Sequence, residues 1–511
     1  MSDWTDGYVA ELDYTYGYYE ELNPQRLLVP FLNVGMRPPQ VVTACELGYG
    51  QGVSVNMHAV ASDTRWYGTD FNPAHAAFAR SLATVAGSGA ELFDQSFGEF
   101  CGRTDLPEFD FIGLHGIYSW VSEENQAVIV DFVRRRLKVG GVLYLSYNTL
   151  PGFAATAPLQ HLFARYAEVM GVRGGGVLAR LDGALEFADR LLAVAPLFAI
   201  ANPRVTERLS QIKEQNRQYL THEYMNRYWR PHWFAELAER LAAAKMTYAC
   251  SALYLDHIDT LNLTAEHNRF LSGIADPLFR QTIRDFIVNQ QFRRDYWVKG
   301  PRRVAQLELA AMIRALKVML VAPRRDVALN VTGSLGQRDM APNIYNAVLD
   351  PLADGDPITI GDLEQAVRTA GLGLGTIYEA VMVLAGKGDL AIVQDETAQA
   401  DAKSRTDRLN LHLLETARGS ADVNYLASPV TGGGVPAGRF HQLFLLGLRQ
   451  GRQGADDLAR FAWEILAMQG QRMVKDNKPL DSDADNLTEL ADQAREFIDK
   501  RLPALRKLQI A

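Results

Sequence analysis

The chain has 511 residues, of which 48% are hydrophobic and 22% are charged, and its formal net charge at pH 7 is −8. One hydrophobic core rarely serves so long a chain, so two to four domains are expected. The acidic balance disfavours nucleic acid as the main partner, and the longest apolar runs, such as 139–145, are too short and too broken for membrane insertion.

Cysteine usage indicates a reducing compartment. The three cysteines, Cys45, Cys101 and Cys250, lie far apart and form no CxxC pair. This spacing argues against a structural zinc site, and no metal is predicted. The first residues carry acids and lack an apolar centre, so no export signal is expected. The predicted location is cytoplasmic.

The first third of the chain alternates between predicted strands and helices. The predicted strands are 41–47, 66–70, 91–94, 109–114 and 142–147, and the predicted helices are 53–61, 73–85 and 125–137. Strands that alternate with helices of this length predict a parallel sheet with right-handed crossovers.

The next segment has helical spacing from 155 to about 228, with a loop predicted at the glycine triplet 174–176. A helix at 234–245 and strands at 246–255 and 294–298 follow. They are interpreted as the last helix and the final antiparallel strands of the same sheet. The helical block is then an insertion after the fifth strand.

The C-terminal half departs from this pattern. Residues 342–396 predict helix, helix, helix and strand, an order that suggests a winged-helix-like module. Residues 341–396 hold nine acids against Arg368 and Lys387, so DNA binding by this module is disfavoured and a protein-contact or structural role is preferred. The polar residues 397–409 predict a mobile linker, and the last hundred residues predict helices.

The stretch Glu46-Leu47-Gly48-Tyr49-Gly50-Gln51-Gly52 lies at the first strand-to-helix turn. Alternate glycines let the backbone bend sharply and approach a ligand closely, which is typical of a nucleotide-binding turn. The dinucleotide fingerprint has its third glycine one place later, where this chain has Val53. The arrangement instead resembles the first motif of class I S-adenosylmethionine-dependent methyltransferases. That resemblance implies S-adenosylmethionine as cofactor, with S-adenosylhomocysteine as product.

Cofactor contacts are predicted from this turn and from the next strand. The turn supplies Gly48, Gly50 and Gly52, and Glu46 is positioned to hold the ammonium end of the cofactor. Asp70 ends the second strand 22 residues after Gly48, where a carboxylate can accept both ribose hydroxyls. The alternative for Asp70 is an acid that caps the helix before Pro73.

Further cofactor candidates lie nearby along the chain. Asn72 is a plausible helix cap beside Asp70. Asp94, Ser96 and Phe97 follow the third strand, where related enzymes bind adenine, although core packing is an equal alternative for Phe97. The tyrosine run 14–19, with Tyr18 as cofactor contact, is interpreted as a lid or as an aromatic strut.

The loop after the fourth strand carries the catalytic candidates. His115 has the pKa range of a proton acceptor, and Tyr118 and Trp120 could wall the slot of the incoming nucleophile. Cover of the sheet edge is the alternative, and it is preferred for Trp120. Asn148, at the end of the fifth strand, is the candidate for the opposite wall. His222, Glu223 and Tyr224 could line the slot, with packing in the insertion as their default role.

Several motifs narrow the resemblance: an N-terminal tyrosine run, "HGIYSWV" (115–121), "SYNTLPG" (146–152), "YLTHEYMNRYW" (219–229), "FRRDYWVKG" (292–300) and "ASPVTGGGVP" (427–436). Together they are similar to bacterial methyltransferases with a methyltransferase regulatory domain, the group that includes the rickettsial outer-membrane-protein lysine methyltransferases. The resemblance implies methylation of a protein lysine ε-amine. A small-molecule methyltransferase and a non-catalytic cofactor-binding regulator are the alternatives, and a homodimer is left open.

The predicted fold class is α/β, with a Rossmann-like seven-stranded class I methyltransferase core, a helical insertion and a mostly α C-terminal region. The predicted domains are a lid (1–39), the cofactor-binding core (40–153 and 233–301), a regulatory or substrate-binding helical insertion (154–232), a winged-helix-like domain (302–396) and a C-terminal helical domain (410–511).

Overall fold

A computed structural model describes residues 5, 7–9, 14–171 and 176–511. Of the loop predicted at 174–176, Gly174 and Gly175 lie outside the described residues. Within the described residues, no helix combines the length and the apolar character needed to cross a membrane.

The centre of the fold is a seven-stranded sheet in the order β3-β2-β1-β4-β5-β7-β6. Its strands are β1 (Thr43–Leu47), β2 (Arg65–Thr69), β3 (Glu91–Phe93), β4 (Phe109–Leu114), β5 (Leu137–Asn148), β6 (Met246–Ser251) and β7 (Phe292–Lys299). The predicted Rossmann-like seven-stranded core is confirmed. Two final antiparallel strands were expected, but β7 pairs antiparallel with both β5 and β6, so β6 runs in the same direction as β5.

Both faces of this sheet are buried, which explains its nearly continuous apolar strands. Side chains alternate between the faces along each strand. On β5, Leu143 and Leu145 pack into one hydrophobic cluster, whereas Val142 and Tyr144 pack into the cluster on the other face.

Helices cover the two faces. The first five are α1 (Leu28–Asn33), α2 (Val53–Ala61), α3 (Pro73–Ala86), α4 (Phe97–Gly102) and α5 (Glu123–Arg136). The start of α3 follows its sequence signals, since the Asn72 side chain accepts a hydrogen bond from the Ala74 amide (2.9 Å) and Pro73 occupies the first turn.

The helical insertion after β5 has a small hydrophobic core of its own, which includes Phe163, Leu181 and Leu220. Its helices are α6 (Ala157–Val169), α7 (Val177–Ala193), α8 (Leu197–Ala201), α9 (Arg204–Lys213) and α10 (Arg217–Tyr224). The chain then returns to the sheet through α11 (Phe234–Ala242). Three helices connect β6 to β7: α12 (Asp259–Asn262), α13 (Ala265–Ser272) and α14 (Pro277–Val288).

The following region has its own core around a three-stranded sheet of order β11-β8-β12. Its elements are α15 (Gln306–Ala315), β8 (Lys317–Leu320), β9 (Asn330–Gly333), β10 (Gly336–Asp339), α16 (Pro342–Leu349), β11 (Ile358–Thr359), α17 (Ile360–Ala366), α18 (Leu374–Lys387) and β12 (Leu390–Val393). The predicted order of three helices and a strand is present. The winged-helix-like character and the domain boundaries stay predictions.

The last region is mostly helical, and its elements are α19 (Glu396–Thr416), β13 (Tyr425–Ser428), β14 (Gly433–Pro436), α20 (Arg439–Arg449), α21 (Gly454–Met468), β15 (Val474–Lys475), β16 (Lys478–Pro479), α22 (Asp483–Glu496) and α23 (Leu502–Lys507).

The prediction of a mobile linker at 397–409 is wrong, because these residues form most of the helix α19. Ala402, Thr406 and Leu409 recur at helical spacing and are buried, while polar residues occupy the opposite face. Two arginines of α19 donate to backbone carbonyls of the core: Arg405 to Ser62 (3.0 Å) and Arg408 to Ala86 (3.0 Å). The helix therefore fastens the C-terminal region to α2 and α3.

The role of α19 can be tested with two leucines of the same helix. Leu409 is 1% exposed and Leu411 is 45% exposed. We expect Leu409→Ala to lower the free energy of unfolding by about 2–4 kcal/mol, because it leaves a cavity in the core. Leu411→Ala is the matched control and should cost less than about 1 kcal/mol. Urea denaturation measures both, and equal losses would contradict the packed helix.

Candidate functional site

A cavity lies at the carboxyl ends of β1, β2 and β4, the edge at which open α/β sheets bind ligands. Its floor comes from the loops that follow these strands and β3, and its cover comes from the N-terminal tyrosines. The predicted site residues that line it are Glu46, Gly48, Gly50, Asp70, Ser96, Phe97 and His115. Those that do not line it are Tyr18, Gly52, Asn72, Asp94, Tyr118 and Asn148.

The glycine turn has the conformation that its sequence predicts. Gly48, Gly50 and Gly52 have φ values of 74°, 56° and 70°, a region that favours glycine. A Cβ atom on Gly48 would lie 2.5 Å from Cδ1 of Ile117, so the bare backbone faces the loop after β4. A Cβ on Gly52 would lie 2.5 Å from Cβ of Ala79. Gly52 therefore serves the close packing of α2 on α3 rather than the cavity.

Glu46 is a buried acid of the cavity lining. Its side chain is 2% exposed, and its Oε2 atom is buried without a hydrogen-bond partner among the described residues. Burial raises the pKa of this carboxyl well above its usual range, and the nearby Asp70 carboxylate raises it further. A buried carboxyl in this state lacks a cationic partner.

Asp70 follows β2 and connects two loops. One carboxylate oxygen accepts the Gly50 amide (2.9 Å), and the other accepts the Asn72 amide (3.0 Å) and lies 3.2 Å from Nδ1 of His75. The Asp70 carboxylate holds the start of α3 and also lines the cavity, and ribose binding by Asp70 stays a prediction. Asn72 caps α3 behind it.

The loop after β3 lines the cavity with Gln95, Ser96 and Phe97 but not with Asp94. Asp94 is exposed and forms an ion pair with Arg80 (2.7 Å) at the surface. Gln95 lines the cavity, and its side-chain oxygen is buried without a partner within the described residues. Ser96 caps α4 through a capping box with Glu99. Gln95 is therefore placed where the sequence analysis expected Asp94.

The N-terminal segment covers the cavity with the rings of Tyr8, Tyr14 and Tyr19. Burial raises the pKa values of the Tyr14 and Tyr19 hydroxyls above their ordinary value. The insertion holds this cover, because the Val9 amide donates to Oδ1 of Asn226 (2.9 Å) and the Arg227 amide to the Gly7 carbonyl (3.0 Å).

Tyr18 faces away from this cover. Its hydroxyl lies 3.1 Å from Nε2 of His58, and its ring packs on Tyr425 of the C-terminal region. Neighbours in an extended segment point to opposite sides, so Tyr19 takes the cavity position. Tyr19 therefore lies in the cover of the cavity and Tyr18 packs against the C-terminal region, while a lid function stays a prediction.

His115 lies between Tyr19 and Tyr144. The Tyr19 ring stacks on the imidazole with centroids 3.7 Å apart, and Nδ1 lies 2.8 Å from the Tyr144 hydroxyl. Burial lowers the pKa of His115 to about 4, although the Glu21 carboxylate opposes the shift. The imidazole is therefore neutral at pH 7 and can accept a proton.

The other two catalytic candidates lie deeper. Tyr118 is 1% exposed and packs in the core below the cavity, where its ring meets His232. Asn148 is buried, and its backbone amide donates to Oγ of Ser119 (2.9 Å). Trp120, for which edge cover was preferred, lines the cavity instead.

The cavity is also lined by residues that were not predicted as site residues from the sequence, among them Tyr8, Phe71 and Ile117. Phe71 had a usable signal, since it directly follows Asp70 at the same edge of the sheet. Ile117 lies within the loop already singled out after β4. Tyr8 had none, because its position depends on long-range contacts with the insertion, such as the stack of its ring on His222 (centroids 5.7 Å apart).

The chain is similar to a known protein over its full length. The chain is 37% identical to the uncharacterized protein sll1526 of Synechocystis over 99% of this chain and 100% of that protein. This chain belongs to the sll1526 family. The model of the predicted methyltransferase regulatory domain matches residues 216–299. The uncharacterized protein RP789 of Rickettsia prowazekii is 26% identical over 55% of this chain and 51% of that protein.

The fold comparison extends over nearly the whole chain. PKMT2 from Rickettsia typhi, solved in complex with AdoHcy, matches with a TM-score of 0.68 at 17% identity. The match covers 97% of this chain and 99% of PKMT2. This member of the sll1526 family therefore has the class I methyltransferase fold with a regulatory domain, which confirms the family resemblance drawn from the sequence motifs.

The state of Glu46 can be tested through protein stability. A carboxyl whose pKa is raised on folding stabilises the protein fully below its unfolded pKa of about 4.3, and this contribution is lost as pH rises through the folded value. We expect Glu46→Gln to raise the thermal midpoint of the ligand-free protein over wild type, by a margin that grows as pH rises from about 5 to about 8. Differential scanning calorimetry measures the margin.

The control for this experiment is Glu124→Gln, because Glu124 is exposed in the first turn of α5. Its midpoint should follow wild type at every pH. A margin for Glu46→Gln that stays constant with pH would contradict a carboxyl buried without a partner.

Proposed function

We propose that this protein is an S-adenosylmethionine-dependent methyltransferase whose acceptor is the ε-amine of a protein lysine. The observation that carries the proposal is the buried, unpartnered carboxyl of Glu46 beside the glycine turn. Such a group needs a cation, and the amino acid end of S-adenosylmethionine supplies an ammonium.

The remaining parts of the cavity fit the same cofactor. Asp70 would accept the ribose hydroxyls, and the part of the cavity lined by Gly48 and Gly50 would take the methionine end. Gln95 and Phe97 would hold the adenine, the first by its unpaired amide oxygen and the second by its ring. When bound, S-adenosylmethionine supplies an electrophilic methyl group on a sulfonium.

A lysine acceptor is supported by the motif resemblance and by the chemistry of the cover. An ε-amine with a pKa near 10.4 must lose its proton before it can attack, which costs roughly 4 kcal/mol at neutral pH. A slot with aromatic walls favours the neutral amine by desolvation. Tyr14, Tyr19 and Trp120 provide such walls.

His115 is the proposed proton acceptor. It lines the cavity and is neutral at pH 7 because burial lowers its pKa to about 4. When Nδ1 carries the proton and donates it to the Tyr144 oxygen, Nε2 keeps a lone pair for the proton of the amine. Tyr19, stacked on the ring, fixes its orientation.

Cofactor binding is tested by calorimetric titration with S-adenosylhomocysteine. We expect wild-type protein to bind, and Asp70→Asn to bind at least about tenfold more weakly, because a carboxylate that accepts hydrogen bonds is lost. Asp94→Asn is the matched variant one strand over and should stay within about twofold, since its side chain faces Arg80. No binding by wild type, or equal losses in the two variants, would refute the assignment.

Methyl transfer is tested with methyl-tritiated S-adenosylmethionine in a bacterial extract. We expect label in protein, recovered as methyl-lysine after hydrolysis. His115→Gln should lower the initial rate by about 100-fold or more while it retains S-adenosylhomocysteine binding, as expected on loss of a general base. Tyr118→Phe, which changes a core hydroxyl next to the same loop, should keep the rate within severalfold. Label confined to small molecules would refute the lysine acceptor.

A further inference from the structure

A second cavity of about 330 Å³ lies on the far side of the β6–β7 sheet edge, among α12, α13 and α14. It shares no lining residue with the cavity of the proposed cofactor site. Apart from Val34, its lining lies between Tyr248 and Asp295, within the segment matched by the regulatory-domain model. The volume is in the range of small-molecule sites.

Two arginines of α14 give this cavity its chemical character. Arg280 and Arg284 are one turn apart, and both line it. Arg280 donates to the Ile274 carbonyl through Nε (3.0 Å), and Arg284 donates to the Asp256 carbonyl through Nη2 (2.9 Å). These bonds fix the two guanidinium groups and leave further N–H donors on each.

In the described chain, no carboxylate oxygen lies within 4 Å of a guanidinium nitrogen of Arg280 or Arg284. The neighbouring Arg293 differs, because it is buried between Asp285 and Asp295 and its charge is compensated. Asp256 and Asp259 also line the cavity; the Asp256 carboxylate accepts the Ser251 hydroxyl (2.7 Å), Asp259 is exposed, and neither acid forms an ion pair with Arg280 or Arg284 in the described chain. Arg280 and Arg284 therefore form a fixed pair of positive charges open to a ligand.

A direct connection joins this cavity to the proposed cofactor site. Arg294 lines the second cavity and forms an ion pair with the buried Glu21. The Glu21 carbonyl also accepts the Tyr296 hydroxyl (2.8 Å). Glu21 lies two residues after Tyr19, the ring that stacks on His115. A ligand that interacts with Arg294 would therefore act on the segment that contains Tyr19 and Glu21 and covers the cofactor site.

We propose that the second cavity is an effector site for a small molecule with a carboxylate or phosphate group, held by Arg280 and Arg284 and coupled to the cofactor site through the Arg294–Glu21 pair. Planar guanidinium groups bind both oxyanions in two-point geometry, so the class of the ligand is set by its anionic group.

The test is calorimetric titration of the full chain with citrate and, separately, with inorganic phosphate, at constant ionic strength. Saturable binding of at least one anion is expected, and the anion that binds shows whether the site recognises a carboxylate or a phosphate group. The double variant Arg280→Gln/Arg284→Gln should bind it about tenfold or more weakly, because charge-assisted hydrogen bonds are lost. Arg269→Gln, an exposed arginine on α13 outside the cavity, should match wild type.

Coupling is measured by repeating the S-adenosylhomocysteine titration in the presence of the anion that binds. We expect the affinity to change by about fivefold or more in wild type, and the anion affinity to change by the same factor with S-adenosylhomocysteine present. Glu21→Gln should still bind the anion but lose this change. Binding of neither anion, equal binding by the double variant, or an unchanged S-adenosylhomocysteine affinity would overturn the proposal.

Discussion

The site is built around one carboxyl group, that of Glu46, which is buried at the end of β1 without a hydrogen-bond partner for Oε2 in the described chain. Burial of an acid in this state is unfavourable and raises its pKa. The Asp70 carboxylate, one strand away, raises the pKa of Glu46 further. Neither acid is relieved by a nearby arginine or lysine ion pair in the described part of the chain. Such an arrangement destabilises the ligand-free protein and becomes favourable when a cation binds beside Glu46.

The rest of the fold keeps this site in place. The parallel strands bring the loops after β1, β2, β3 and β4 to one edge of the sheet. The antiparallel strand β7 then joins β6 to β5 at the other end of the strand order. The N-terminal segment divides its tyrosines between two partners: Tyr19 covers the cavity, whereas Tyr18 packs against the C-terminal region. Because α19 also packs on α2 and α3, the C-terminal half is structurally joined to the glycine turn. Chain segments far apart in sequence therefore share one site.

The sequence predicted the parts of the site that local chemistry encodes. Glu46, the glycines and Asp70 were found because a tight turn and a strand end fix their positions. The sequence does not show which side chains face the cavity. Tyr18 was predicted as the contact instead of Tyr19, because neighbours in an extended segment point to opposite sides and only tertiary packing decides which one faces inward. Asp94 was predicted as a contact, but its side chain pairs with Arg80 at the surface, whereas Gln95 lines the cavity. The helix at 397–409 was missed because its buried face is made of small and polar residues, among them Ala402 and Thr406, which carry little hydrophobic signal. The second cavity is assembled by packing between β6, β7 and α14, and no local motif marks it.

The most direct test of the central claim is the number of protons exchanged when S-adenosylhomocysteine binds. Calorimetric titrations near pH 7 in buffers of different ionisation enthalpy measure this number. Burial raises the pKa of Glu46 and an ammonium beside it would lower that pKa again, so binding should release protons from wild type and should release fewer from Glu46→Gln. Binding to wild type without proton release, or the same release from both proteins, would contradict the account.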